Sequence, residues 1–374
     1  MYHGKTFMSK TDLKFAVLGT GNSGQTFAAD IALKGYSVNL AELPAFEKNL
    51  AAIRKKGGIE ITGDAGSGFA EFNLLTTDLK AAINGVDVIF IGGSAYAHEP
   101  FSLALAEHFK DGQYIVFTSN FGALRFRQWM QQAGITTGVT PVETMSLLYA
   151  TRAVAPGVVS CIGVKNTLPT AALPAGNTGA FLEMIHPVFP QFEAAPNVWF
   201  TSVNNLNPIV HPPMVLFNAG RIEATGGKGW NLYADGATDS VARVMLELDE
   251  DRMALLRAVS PGGIYFKDAF ETLYADYALG RSSLSETLRR SPIHGDPAFP
   301  APGAVDTRYI NEDLPFGLAP WASIGRMWGI PTPTVDAVVR IASIMVGVDY
   351  FSEGLSVKDL GIEGLSPEEV RTIL

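Results

Sequence analysis

Cysteine is almost missing from this 374-residue chain: Cys161 stands alone. That excludes an internal disulfide and any cysteine-based metal cluster. Histidine is scarce as well. The six present (His3, His98, His108, His186, His211 and His294) show no H-x-x-x-H pair, so no zinc site is expected and the metal assignment is none. Basic charge is short, with 28 Lys and Arg against 37 Asp and Glu and a net charge of −9, which argues against nucleic acid, since phosphate binding needs a basic surface. No uninterrupted apolar run reaches the roughly 18 residues of a membrane span. The segment Met1–Asp12 is polar, so a signal peptide is not expected. With 47% hydrophobic and 17% charged residues the composition is that of a folded enzyme long enough for two cores. The expectation is a cytoplasmic, metal-free protein whose partners are small molecules, with a homodimer left open.

What is present begins at Lys14-Phe-Ala-Val-Leu-Gly19-Thr-Gly21-Asn22-Ser23-Gly24. A strand-type apolar run leads into a G-x-G-x-x-G turn, and a helix-like segment, Gln25 to Lys34, follows. Gly19 permits the tight turn, Gly21 removes a Cβ that would block a diphosphate, and Gly24 lets helix and strand pack closely. Asn22 and Ser23 sit where the first helical N–H groups point at the anion. A second strand, around Val38 and Leu40, ends at Glu42, 18 residues past Gly24. A carboxylate there accepts hydrogen bonds from ribose hydroxyls and repels a 2′-phosphate. The cofactor expected is therefore NAD, with NADP less favoured. The opposing reading is a glycine turn that binds nothing and a solvated Glu42.

Strand-like and helix-like segments alternate through the first half. Phe46 to Lys56 reads as a helix, then Gly57 to Ile61 and Ala70 to Leu75 as a short antiparallel excursion turning at Gly63 to Gly68. Leu79 to Ile83 is a short helix. Val86 to Ile91 is an apolar run of buried-strand type, and Gly92-Gly93-Ser94 after it stands where doubly wound sheets bind ligands. Phe101 to Phe109 reads as a helix, Tyr114 to Phe117 as a strand, Ala123 to Ala133 as a helix, and Thr140 to Glu143 and Val158 to Val164 as strands. Beyond residue 200 the periodicity is helical: Met214 to Ile222, Asp239 to Ser260, Lys267 to Leu279, Ser285 to Arg290 and Val335 to Val346, with a Pro/Gly-rich loop at Ser291 to Gly303. The fold class is α/β, a doubly wound dinucleotide domain over 12–200 followed by an all-helical domain over 201–374.

Hydride transfer to a carbonyl or imine carbon needs a proton donor and a cation for the substrate carboxylate. His211 is the candidate donor, placed by the two prolines after it, which should stop a helix and fix the backbone; a helix-capping histidine is the competing reading. Asp313 would orient the imidazole, and Arg308 would grip a carboxylate bidentately. Read by charge alone, Asp306 to Asp313 fits a solvated cluster equally well. Trp230, Trp321 and Trp328 fit either a substrate pocket or the core.

The glycine turn, Asn-Leu-Asn-Pro-Ile-Val-His211-Pro-Pro and Arg308-Tyr-Ile-Asn-Glu-Asp313-Leu-Pro-Phe-Gly-Leu resemble segments of the opine dehydrogenases, the octopine/nopaline dehydrogenase family, from about residue 13 onward. The resemblance implies a Rossmann domain followed by a helical domain. It implies coupling of a 2-oxo acid, often pyruvate, to an amino acid's amine and reduction of the imine by NAD(P)H, with the reverse oxidation. It makes His211 and Asp313 the catalytic pair and Arg308 the holder of the oxo acid. The stretch Glu143-Thr144-Met-Ser-Leu-Leu-Tyr-Ala-Thr151-Arg152 resembles a family segment in which Glu and Thr place the substrates, so Glu143 would receive the amine and Thr144 the oxo acid. Leu148 and Thr151 depart from the family's proline and cysteine, which bears on amino-acid selectivity. Asn120 matches a substrate-facing polar residue. Two other functions compete: a 2- or 3-hydroxy acid dehydrogenase, which needs no amine, and a dinucleotide-binding sensor without turnover.

Overall fold

Phe15, Ala16, Val17 and Leu18 are all fully buried, as a strand covered on both faces requires. In the computed structural model, which describes residues 13–136, 138–273, 283–295 and 300–374, they form β1 (Lys14–Leu18), an interior strand of an eight-stranded sheet. The polar segment Met1–Asp12 lies outside the described residues.

The remaining strands are β2 (Ser37–Ala41), β3 (Ile59–Gly63), β4 (Gly68–Ala70), β5 (Leu74–Thr76), β6 (Val88–Ile91), β7 (Tyr114–Thr118), β8 (Thr140–Thr144), β9 (Tyr149–Ala155), β10 (Val158–Val164), β11 (Leu168–Ala172) and β12 (Phe192–Ala194). The large sheet runs β12-β11-β8-β7-β6-β1-β2-β5. Its six strands from β5 to β8 are parallel, and β11 is antiparallel to β8. The chain winds outward from β1 through β2 to β5, then returns to β6 on the other side of β1. That reversal opens a crevice at the carboxyl ends of β1 and β6, the dinucleotide position of doubly wound sheets.

The sequence reading needs correction at several elements. Ala70 to Leu75 does not pair as one strand: Ala70 pairs with Ile59 across the expected turn, whereas Leu74–Thr76 joins the large sheet beside β2. Val158–Val164 belongs to a second sheet, β4-β3-β10-β9, and not to the doubly wound one. The Phe101 helix starts earlier, at Ala95, and runs through Pro100 to Leu105. A helix also passes straight through Pro212 and Pro213, from Asn207 to Leu216. These prolines lack the N–H groups that would bond the Pro208 and Ile209 carbonyls. Complete burial of Pro208 to Leu216 supplies the packing that holds the turn regardless. β9, β11 and β12 were not anticipated.

After Ala194 the described residues form helices, with one isolated bridge between Asn231 and Pro300. Asp239–Val259 is the longest, and Thr238 caps it by accepting from the Val241 amide. The helix expected over Lys267 to Leu279 is described from Phe266 to Leu273, and its remainder lies outside the described residues. The expected loop Ser291 to Gly303 includes residues 296–299, also outside them. One hydrophobic core joins Trp199, Ile209, Met214 and Trp321 of the helices to Phe121, Leu124 and Met145 of the sheet half, so the helical half packs directly against it.

Candidate active site

The glycine turn has the geometry its sequence implies. Gly19 has φ +105°, and a Cβ on Gly24 would lie 2.0 Å from the Gly19 carbonyl oxygen. A Cβ on Gly92 would lie 2.4 Å from the Gly24 Cα, so β6 and the first helix meet through two glycines. Gly21 differs: a Cβ there would meet nothing within 4 Å. It caps the helix Asn22–Leu33, which has no side-chain cap. An open approach to uncapped helical N–H groups fits a dinucleotide diphosphate. Ser23 Oγ donates to the Gly92 carbonyl at 2.6 Å, and Asn22 Oδ1 accepts from the Ala153 amide at 3.0 Å. Both therefore lock the turn in place. Glu42 is buried and not solvated: it accepts from the Thr20 amide and hydroxyl at 2.7 Å each and from the Leu43 amide at 2.9 Å.

His211, inside the helix Asn207–Leu216, places Nδ1 2.7 Å from Asp313 Oδ2. Its Nε2 stands 2.9 Å from Tyr233 Oη, and its ring lies over Tyr309 at a centroid distance of 4.2 Å. Asp313 directly precedes a π-helical turn, Leu314–Leu318, a widened turn often found at functional sites. Arg308 opens the short helix Arg308–Asn311; its side chain is 64% exposed and lies 3.8 Å from Glu312. Glu312 in turn accepts from the Ala95 amide at 2.9 Å, tying this segment to the loop after β6. Burial raises the Glu312 carboxyl, with Arg308 opposing the shift.

Two cavities meet here. The smaller, about 100 Å³, is lined by Gly93, Ser94, Ser119, Asn120, Arg308 and Asp313 among others. The larger, about 160 Å³, runs past Thr151, Lys165, Tyr233, Phe266 and His294. His211, Arg308, Tyr309, Ser146, Leu147 and Asn207 line both. Ser119, Asn120 and Phe121 all have positive φ, 70°, 62° and 57°, which turns the loop after β7 toward the smaller cavity. Asn120 Oδ1 accepts from Asn205 Nδ2 at 3.0 Å.

The structure thus brings His211, Asp313, Arg308, Asn120, Gly93 and Ser94 together. Glu143 and Thr144, expected to place the substrates, line neither of these two cavities. The Glu143 carboxylate is fully buried and accepts from the Ala123 amide at 3.2 Å, the Thr201 hydroxyl at 2.9 Å and the Ser202 hydroxyl. Burial pushes its carboxyl up to about 7, against those hydrogen bonds. Thr144 Oγ1 donates to the Ser146 carbonyl at 2.8 Å. Trp230 and Trp321 belong to the core, and the Trp328 ring packs tilted against Trp199 at 5.2 Å.

Sequence reasoning missed Tyr233, Lys165 and His294, which carry no local signal because each reaches the site only through tertiary packing; it also passed over Asn205, although that residue opens the Asn-Leu-Asn-Pro-Ile-Val-His211 segment. Lys165 Nζ donates to the Leu147 carbonyl at 2.6 Å, and burial lowers its amine to about 7. His294 is lowered to about 3 by burial and by the nearby Lys165 and His211, so it stays neutral. Among the described residues no group of His, Cys, Asp and Glu could hold a metal ion, and no helix is long and apolar enough to cross a membrane.

Comparison with known proteins agrees with this architecture. Residues 194–346 match the family model of the NAD/NADP octopine/nopaline dehydrogenase alpha-helical domain. The opine dehydrogenase of Arthrobacter sp. (strain 1C) is 34% identical over 360 residues, 96% of this chain and 98% of the relative. An octopine dehydrogenase solved with NADH and agmatine superposes with a TM-score of 0.78 at 19% identity, covering 96% of this chain and 98% of that one. A yersinopine dehydrogenase with bound NADP+ gives 0.69 at 15%, over 98% of each chain. The chain belongs to the octopine/nopaline dehydrogenase family, NAD(P)-dependent oxidoreductases that act on CH–NH groups.

Proposed function

We propose that this protein condenses a 2-oxo acid, pyruvate first among candidates, with the amino group of an amino acid, reduces the imine with NADH, and runs the reverse oxidation. The observation that carries the reading is the His211–Asp313 pair, at 2.7 Å, with both residues lining the smaller cavity beside the loops after β6 and β7 and His211 lining the larger one as well. Residues 12–200 would hold the dinucleotide and residues 201–374 the substrates. Gly19, Gly21, Gly24, Gly92, Gly93 and Ser94 would form the cofactor cradle, with Asn22 and Ser23 as its braces. Glu42 supports NAD over NADP through its charge at the end of β2. The bound cofactor supplies a hydride to the iminium carbon.

The chain's own groups do the rest. Asp313, accepting from Nδ1–H, fixes the imidazole tautomer and steadies its protonated form. His211 then exchanges protons as the carbinolamine forms and loses water. Arg308, exposed and weakly paired, is available to a substrate carboxylate, so that one face of the reacting carbon meets the cofactor. Asn120 offers a further polar contact in the smaller cavity. The small-molecule chemistry, the solitary buried Cys161 and the acidic composition support a cytoplasmic enzyme, monomer or homodimer.

The test is NADH absorbance with purified protein across a grid of 2-oxo acids and amino acids, arginine and taurine included. Oxidation that needs both substrates is expected. Oxidation with the oxo acid alone would identify a hydroxy acid dehydrogenase, and NADH binding without oxidation anywhere on the grid would identify a sensor.

A further inference from the structure

Among the Lys, Arg, Asp and Glu side chains, the smaller cavity is lined by one cation, Arg308, and two carboxylates, Glu312 and Asp313. Its wall therefore carries one negative charge in excess. Asp313 is committed to His211 through Oδ2, at 2.7 Å. Arg308 is the group available to the carboxylate of the oxo acid. Glu312 is the carboxylate left over. Its side chain is only 14% exposed, and Oε1 accepts from the Ala95 amide at 2.9 Å. Oε2 stands 3.8 Å from Arg308 Nε, which is an ion-pair distance but too long for a hydrogen bond. Among the described residues no donor hydrogen-bonds this second oxygen. Burial raises the Glu312 carboxyl, Arg308 opposes that shift and Asp313 adds to it. A buried carboxylate with so little compensation gains from a cation brought beside it.

We infer, on the function proposed above, that Glu312 receives the ammonium group of the amino acid substrate at Oε2. Arg308 and Glu312 then act as neighbouring sites of opposite sign for two substrates of opposite charge at their reacting ends. An oxo acid held through its carboxylate by Arg308 presents the adjoining carbonyl carbon near that guanidinium. An ammonium on Glu312 lies alongside, so the nitrogen and the carbon that must bond are brought together. The bond to Ala95, the residue after Gly93-Ser94, fixes the Glu312 carboxylate to the loop assigned to the cofactor. Asn120 and Tyr309 also line this cavity but bring no charge to match an ammonium. The Glu143 carboxylate accepts from Ala123, Thr201 and Ser202 and lines neither cavity. No covalent bond changes at Glu312, and proton exchange stays with His211.

The experiment compares Glu312→Gln with wild type, because a glutamine still accepts from the Ala95 amide but carries no charge. Two ligands are measured with NADH and oxo acid saturating: the amino acid turned over fastest in the NADH assay, and, as an inhibitor, the 2-hydroxy acid with the same side chain. In the second a hydroxyl replaces the ammonium. KM for the amino acid should rise at least about tenfold in the variant, whereas the inhibition constant of the hydroxy acid should move less than about threefold. NADH affinity and melting temperature should match wild type. Equal rises for both ligands, or an unchanged KM for the amino acid, overturn the assignment. A rise confined to KM for the oxo acid, the mark of an effect through Arg308, overturns it too. Should the variant not fold, a crystal structure of the wild type with NADH and that amino acid decides. A substrate nitrogen within hydrogen-bond reach of Oε2 supports the assignment, and one held by Asp313, Glu143 or another group overturns it. Failure of the opine dehydrogenase reading looks different, since wild type then oxidises no NADH with any amine, or needs none.

Discussion

His211 Nδ1 and Asp313 Oδ2 are 102 residues apart in sequence and 2.7 Å apart in the fold. The contact needs the helix Asn207–Leu216 and the π-helical turn Leu314–Leu318 to pack together, which Pro208 does by filling the space a Gly317 side chain would need, 2.3 Å from its Cβ position. Substituting His211→Ala should lower kcat by about 10²- to 10⁴-fold and leave NADH affinity within about twofold. Asp313→Asn should cost at least about 100-fold, because an amide can donate to Nδ1 and so select the wrong tautomer. Steady-state kinetics with fluorescence titration of NADH check both, and near-wild-type kcat in His211→Ala would remove the pair from the mechanism.

Arg308 calls for a different signature. Its side chain is 64% exposed and its nearest carboxylate, Glu312, is 3.8 Å away, so the fold gains little from it. Arg308→Lys keeps the charge but loses the planar fork. The expected outcome is a KM for the oxo acid raised about tenfold, a loss of about 1.4 kcal/mol, with melting temperature and NADH affinity unchanged. A KM equal to that of wild type would show that the oxo acid is held elsewhere.

Two glycines of one turn should fail in opposite ways. A methyl on Gly24 would sit 2.0 Å from the Gly19 carbonyl oxygen, a backbone clash no rotamer relieves, so Gly24→Ala should lose several degrees of melting temperature together with cofactor binding. A methyl on Gly21 meets no protein atom within 4 Å. Gly21→Ala should therefore keep the wild-type melting temperature and raise the NADH Kd about tenfold or more. Calorimetry with and without NADH separates the two cases. Equal NADH binding by Gly21→Ala and wild type would move the diphosphate away from this turn.

The parts of this molecule that were legible in sequence are those written in local patterns. The buried run Phe15 to Leu18, the glycine spacing and the apolar Val88 to Ile91 each specify their own environment, so the doubly wound sheet followed from them. The two prolines after His211 misled, because proline's local cost was outweighed by burial of the whole helix, a tertiary term no window of sequence contains. The pairing of Leu74–Thr76 with β2 was hidden for the same reason: a three-residue strand carries too little alternation to choose its neighbour. Tyr233 and Lys165 enter the cavity from a short helix and from the end of β10, where nothing nearby marks them. Glu143 shows the converse limit, since a motif match names it while only the fold reveals that its carboxylate accepts from Ala123, Thr201 and Ser202.

Glu143 then becomes a question of stability. It joins β8 to the helix Val198–Val203 through Thr201 and Ser202, and burial raises its carboxyl from an ordinary 4.5 to about 7. A carboxyl raised by folding binds its proton more tightly in the folded state. Its contribution is therefore complete below the unfolded value and is lost as pH rises through the folded one. For an isolated group the loss across that window is on the order of 3 kcal/mol. Glu143→Gln keeps an acceptor for the Ala123 amide and removes the titration. Wild type should lose melting temperature relative to Glu143→Gln as the buffer goes from about pH 5 to about pH 8, by several degrees. Because the carboxylate lines neither cavity, kcat should change less than about threefold in the variant. Parallel melting curves would mean that Glu143 is ionised throughout, and a collapse of kcat with intact stability would return it to the substrate.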